Sequence, residues 1–301
     1  MAANLQTLSK HKAVNGWPLF RLIAVPTSLV MLAGMLLVDT WNGSEVSALI
    51  QLSVRFAVPW LFLAFAASSI QILFPGPLSL WLARNRKYLG LAFAAAMAWQ
   101  ALFILWLVIG YTDYYVDEVY VLRDAIEGVI GYAFLLAMTV TSFMPVRKHM
   151  TPGQWKLLHK SGMYFLWAYA FSTYWWSLYY YAEPVTLDYV FYWAGFTAWA
   201  LRVAAWSKKR SKQARKSRPY GNDQPAFALL GYTMIGAAVF AAGLGSIWRP
   251  AAENILYGYS VTEWLELYMP YWPFEPFLPL LAAVFGGYLL ARAKGGGRVE
   301  A

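Results

Sequence analysis

The chain has no cysteine among its 301 residues, which excludes disulfides, thiolate-held iron–sulfur clusters and cysteine-ligated zinc. Histidine is nearly as scarce. His11, His149 and His159 are the whole supply, so any site that needs two imidazole ligands has few candidates for its second donor. Charge is also thin: 13% of residues are charged, against about 25% in an ordinary soluble domain. Acidic residues number 15 against 24 Lys and Arg. No G-x-G-x-x-G occurs, and the connections between apolar runs are too short for a nicotinamide or flavin domain.

What is abundant is apolar and aromatic. The composition is 60% hydrophobic and 18% aromatic, with a mean hydropathy of +0.44. So few charges cannot cover the surface of a soluble protein this long, and the apolar residues come in long runs. The pattern predicts an all-α, polytopic helical membrane bundle, because in lipid a helix satisfies its own backbone groups and an open strand edge does not. Windows of about 20 residues place candidate spans near 18–38, 50–74, 88–111, 124–144, 158–181, 186–206, 226–248 and 275–292.

The cations test that count independently. All Lys and Arg except Arg21, Arg55, Arg123, Arg202 and Arg249 fall in the N-terminus, in alternate connections or in the C-terminus. On that side the only acidic residues are Asp223 and Glu300. Positive-inside bias therefore predicts both termini in the cytoplasm and an even number of spans, about eight. The first span follows Lys10 and Lys12, but it is too long for a signal-peptide core and lacks a persuasive small-residue cleavage site, so it is expected to be a retained helix. The net charge of +9 has the same cause. The run SKKRSKQARKSR (207–218) is expected to orient the chain and face anionic lipid, with a protein docking site as the alternative and nucleic acid as a partner excluded.

The expected organisation is a cytoplasmic N-terminus (1–17), a six-helix membrane domain (18–206), a basic cytoplasmic loop (207–225), a two-helix C-terminal hairpin (226–293) and a cytoplasmic tail (294–301). In the hairpin, Ala237, Ala241 and Gly245 face Ala283, Gly287 and Ala291 as stripes of small residues that let helix backbones approach. Between them, Trp264, Tyr268, Tyr271 and Trp272 suit an interfacial belt, as does the run around Tyr174, Trp175, Trp176, Tyr179, Tyr180 and Tyr181.

Intramembrane polar residues are the candidate functional groups, since each is costly in lipid without a partner. Gln100 shares a helical stripe with Ala92 and Ala96, which predicts that it faces other helices. Arg55 and Glu127 sit in the first turns of spans entering from the same side, so their depths match and a structural ion pair is expected. A small-molecule site using Gln100, Arg55 and Glu127 is the alternative. Arg202 is expected to snorkel.

Three stretches carry a likeness: RFAVPWLFLAFAASSIQILFPGP (55–77), PLSLWLARNRKYLGLAFAAAMAWQALF (77–103) and TSFMPVRKHMTPGQWKLLHKSGMYFLW (141–167). Together they resemble the ferric-reductase-like transmembrane family, and within it the haem-binding membrane subunit of bacterial periplasmic methionine sulfoxide reductase. The likeness covers about residues 50–206, and the last two spans stand outside it. It implies a b-type haem held within the bundle by histidines on the third and fifth spans. It also implies electrons passing from a separate cytoplasmic flavin or quinone donor toward the outer face of a bacterial inner membrane. The family's histidine positions fall here on Gln100, His159 and Ser172, so only one is histidine. His159 lies about 20 Å along the helix from Ser172 and cannot replace it.

The expectation is therefore a haem-free derivative that carries no cofactor and no catalytic constellation, serving as a scaffold or subunit for a membrane or periplasmic protein. The alternative is an electron-transfer subunit with one haem b on His159, with His149 or Met163 as second donor.

Overall fold

A computed structural model describes residues 11–39, 42–180, 183–217, 224–257 and 275–293. The described chain is helical: α1 (Trp17–Leu37), α2 (Gly43–Leu73), α3 (Pro77–Gly110), α4 (Leu122–Val140), α5 (Pro152–Tyr179), α6 (Thr186–Ser217), α7 (Pro225–Gly243), α8 (Gly245–Tyr257) and α9 (Leu278–Ala293), with short helical turns between some of them. Each apolar segment of the sequence falls on one or more of these helices. Four of them, α1, α2, α3 and α7, are long and apolar enough to cross a membrane, and α9 is a shorter apolar helix. The helices α4, α5 and α6 are long but more mixed. The N-terminal third of α4 holds Arg123, Asp124 and Glu127, α5 opens with Lys156, His159 and Lys160, and α6 ends in Arg215 and Lys216. Long apolar helices in an all-helical chain are the architecture of an integral membrane protein.

Several helix boundaries differ from the hydropathy pattern, for identifiable reasons. The basic cluster Arg84, Arg86 and Lys87 does not precede the third helix but lies inside it, because α3 starts at Pro77. Proline suits a first helical turn, having no N–H to leave unsatisfied. At 34 residues α3 is about 51 Å long, well beyond a hydrocarbon core of about 30 Å. Likewise α5 starts at Pro152 and not near 158. Thr151 and Gln154 form a reciprocal cap there: the Gln154 N–H donates to Thr151 Oγ1 at 3.2 Å and the Thr151 N–H donates to Gln154 Oε1 at 2.9 Å. The expected basic loop at 207 is helical as far as Ser217. The seventh segment ends at Gly243, and α8 begins after Leu244, so 226–248 is not one helix. Residues 218–223, the aromatic stretch with Trp264, Tyr268, Tyr271 and Trp272, and the glycine tail at 295–297 lie outside the described residues.

By packing the chain forms two compact units. One comprises 1–71 and 76–170, the other 72–75 and 171–301, so the division falls within α5 and not at the basic stretch. In the first unit Met31 of α1, Leu49 of α2 and Phe103 of α3 form a buried apolar cluster, with Trp99 and Trp106 packed against it. Phe65 of α2 stacks on Trp167 of α5 with centroids 5.2 Å apart and planes 9° apart. Gly162 lets α5 lie close to α4, since a Cβ there would meet Met138 Sδ at 2.8 Å. The segment before α1 is pinned to α3 by Asn85, which is 2% exposed. Its Oδ1 accepts the Gly16 N–H at 2.9 Å and its Nδ2 donates to Asn15 Oδ1 at 2.9 Å. Gly16 takes φ +67°, a backbone state that a Cβ disfavours.

The second unit is held by small residues. A Cβ on Gly286 of α9 would come within 2.7 Å of the Gly231 carbonyl oxygen on α7, and one on Gly231 within 2.9 Å of the Gly286 oxygen. The small-residue stripe expected on α7 is therefore off by one position. Ala238 and Ala242 are buried while Ala237 is exposed, and Gly231 makes the closest approach. On α9 the expected Ala283, Gly287 and Ala291 are buried. The C-terminal carbonyls of α7, which have no intrahelical donor, are capped by aromatic side chains. Tyr179 and Tyr192 both donate to the Ala242 oxygen, at 2.9 and 2.8 Å, and Trp248 Nε1 donates to Ala241 at 2.8 Å. Part of the aromatic run thus works as interior structure and not as an outward belt: Trp175 is fully buried and Tyr174 nearly so.

Candidate functional site

The residues singled out from the sequence are distributed over the two units. Gln100, His159, Arg55 and Glu127 belong to the first, and Ser172 to the second.

Gln100 sits on α3 beyond the buried Ala92 and Ala96, as the stripe predicts. Its Oε1 accepts the Tyr132 hydroxyl of α4 at 2.8 Å, and the same hydroxyl lies 3.2 Å from the Met97 carbonyl oxygen. One phenol therefore bridges α3 and α4 and satisfies the Gln100 amide oxygen, which lipid would leave unpaired. Tyr132 carries no motif that marks it beforehand. Only its position opposite Gln100 does, and that depends on how α3 and α4 pack.

His159 is half-buried at the second turn of α5. Its Nε2 lies 3.1 Å from Oγ1 of Thr141, the C-terminal cap of α4. The Thr141 hydroxyl also lies within hydrogen-bond distance of the Ala137 carbonyl, at 2.6 Å. In either tautomer Nε2 is the ring atom engaged with this hydroxyl, as donor or as acceptor. Trp155, one turn earlier, donates from Nε1 to the Thr141 carbonyl at 3.2 Å. Its ring lies against the imidazole with centroids 4.3 Å apart. The Arg147 guanidinium lies 4.4 Å from the centre of the Trp155 ring. The spacing Trp155-x-x-x-His159 puts both rings on one face of α5, where they fasten the start of α5 to the end of α4. Histidine here is a latch across a helix connection.

The neighbouring turn (Met144–Arg147) is anchored in the same manner. Phe143 stacks on Trp17 at 6.1 Å, and the Lys87 ammonium lies 5.3 Å from the Phe143 ring centre. Of the expected second donors for a haem, His149 is exposed and Met163 is 9% exposed on α5. Ser172 is 2% exposed. Glu127 is 1% exposed on α4, and Arg55 is half-buried on α2.

This donor set does not fit a haem held by two imidazoles. One implied position presents an amide whose oxygen is already bonded, another presents a buried hydroxyl, and the histidine present is bonded through Nε2 to a threonine. The arrangement binds helices to one another. Among the described residues no three His or acidic side chains lie together in the manner of a metal site. No protein-family model matches the chain, and no curated protein or solved structure matches it.

Proposed function

We propose that the chain is a haem-free derivative of the ferric-reductase-like architecture, acting as a membrane scaffold or subunit partner in a bacterial inner membrane. About eight helices cross the bilayer, and both termini lie on the cytoplasmic side. The observation that carries this reading is the hydrogen bond between Tyr132 and Gln100 at 2.8 Å, which ties α3 to α4 at a position where the resembled family needs an iron ligand. The bond from His159 to Thr141 supports it, because it gives the chain's one matching histidine a structural task. The orientation rests on the bias of Lys and Arg toward alternate connections. Arg55 and Glu127 are proposed to pair within the first unit.

The test is an optical spectrum of the detergent-purified protein, oxidised and dithionite-reduced, after expression with ample haem supply. The expected result is a protein spectrum without a Soret band. A Soret band with reduced α and β bands that disappear in His159→Ala would overturn the proposal and establish electron transfer through a haem on that residue.

A further inference from the structure

The second unit has a half-open cavity of about 770 Å³ lined by α6, α7 and α9. Its two ends differ chemically. One end is walled by Val203, Ile235 and Ala283, and Ala228 and Leu290 continue the apolar wall toward the mouth. The other is lined by Ser207, Lys208, Ser211, Lys212 and Arg215, with Gln224 opposite. Among the described residues no acidic side chain lines the cavity. The cationic end follows from helix geometry, because Ser207, Ser211 and Arg215 recur every four residues and so share the face of α6 that carries Lys208 and Lys212 beside them. From Ala200 to Arg215 the lining runs along about 22 Å of α6.

The cavity is built and not incidental. At its mouth the Gln224 N–H donates to the Ala293 carbonyl at 2.8 Å, which joins the start of α7 to the end of α9. Gly287 keeps α9 close to α6, since a Cβ there would meet Val203 Cγ1 at 2.6 Å. Lys208, which lines the cavity, donates from Nζ to the carbonyls of Ile72 and Leu73 at the end of α2, at 2.8 and 3.3 Å. An ammonium has three donors, so one is left over for a ligand.

We propose that this cavity is a binding site for one anionic phospholipid, its phosphate on Lys208, Lys212 and Arg215 and an acyl chain along the apolar wall. The argument is the match of charge and depth. On the reading proposed above, in which α6 also crosses the bilayer, its terminal cations lie at the headgroup level, and basic pockets between such helices suit lipid phosphates. A free inorganic anion would use the rim and leave the apolar wall without purpose.

The test is native mass spectrometry of the full chain in detergent, titrated with phosphatidylglycerol or phosphatidylcholine. Phosphatidylglycerol is expected to be retained about tenfold more strongly. Lys212→Gln/Arg215→Gln should abolish that preference. Ala228→Phe, which fills the apolar wall, should weaken retention of both lipids. The comparison variant Lys209→Gln/Lys216→Gln removes the same charge from the same helix at positions that do not line the cavity, and should retain phosphatidylglycerol as the unaltered protein does. Equal retention of the two lipids, or equal loss in both double variants, overturns the site in favour of diffuse attraction. Displacement of phosphatidylglycerol by millimolar inorganic phosphate overturns it in favour of a rim that holds anions alone.

Discussion

The first unit joins its helices mainly through polar and aromatic side chains that bond across them, and the second adds to such bonds a direct contact of helix backbones. In the first, Gln100 meets Tyr132, His159 meets Thr141, and Asn85 gathers Asn15 and Gly16. In the second, Gly231 and Gly286 bring α7 against α9 with room for no side chain between them. Both devices work in lipid, where apolar burial does not drive helices together and close packing and hydrogen bonds must do so. They differ in tolerance. A side-chain hydrogen bond can be lost at the cost of one unsatisfied group, whereas a backbone contact has no flexible atom to give way.

The sharpest way to break that contrast is Gly286→Leu. Its Cβ would be driven onto the Gly231 carbonyl oxygen, so the second unit should lose about 3 kcal/mol or fail to assemble. Thermal unfolding in detergent measures this, and a melting temperature unchanged from the original would refute the close approach. Asn85→Ala should cost about 2 kcal/mol by leaving the Gly16 N–H and the Asn15 side chain without their buried partner. The expected symptom is proteolysis near the N-terminal segment at protease levels that leave the unaltered chain intact.

Tyr132→Phe is smaller, about 1 kcal/mol, because only the donor to Gln100 is lost. Adding Gln100→Leu should recover most of that loss, since an apolar pair needs no partner in lipid. A double variant less stable than Tyr132→Phe alone would show that Gln100 has another task. The smallest expected effect concerns Arg55 and Glu127. If they pair as proposed, a double-mutant cycle of Arg55→Leu and Glu127→Gln should give a coupling of about 0.5 kcal/mol. Strictly additive costs would dissolve the pair.

Much of the helical framework was legible beforehand because its signals are local. Long apolar runs were read from the sequence, whereas the equally local prolines at first turns and the Thr151–Gln154 cap were not, which left the starts of α3 and α5 misplaced. The errors lie where local signals overlap. Hydropathy ends a segment at the first charges, so Arg84, Arg86 and Lys87 resembled a connection although they continue α3. In the same way Lys208 to Lys216 resembled a loop although they continue α6. Lysine and arginine are good helix formers, and a helix that leaves the hydrocarbon has no reason to stop at the interface. The stripe on α7 was displaced by one position because several small residues lie close together and spacing alone does not say which face meets the neighbour.

The candidate site divides along the same line. That Gln100 faces other helices was readable from Ala92 and Ala96 on its stripe, while its partner Tyr132 was not, since no rule of spacing links residues on separate helices. Composition and charge order by themselves determined that this chain is built of apolar helices with its cations gathered in alternate segments, because hydrophobicity and charge act residue by residue. Tertiary structure alone decided that His159 is bonded to Thr141, that Gly231 meets Gly286, and that the basic face of α6 opens on a cavity. Those outcomes depend on which helix faces which, a choice made by the packing of whole faces and the pairing of buried polar groups.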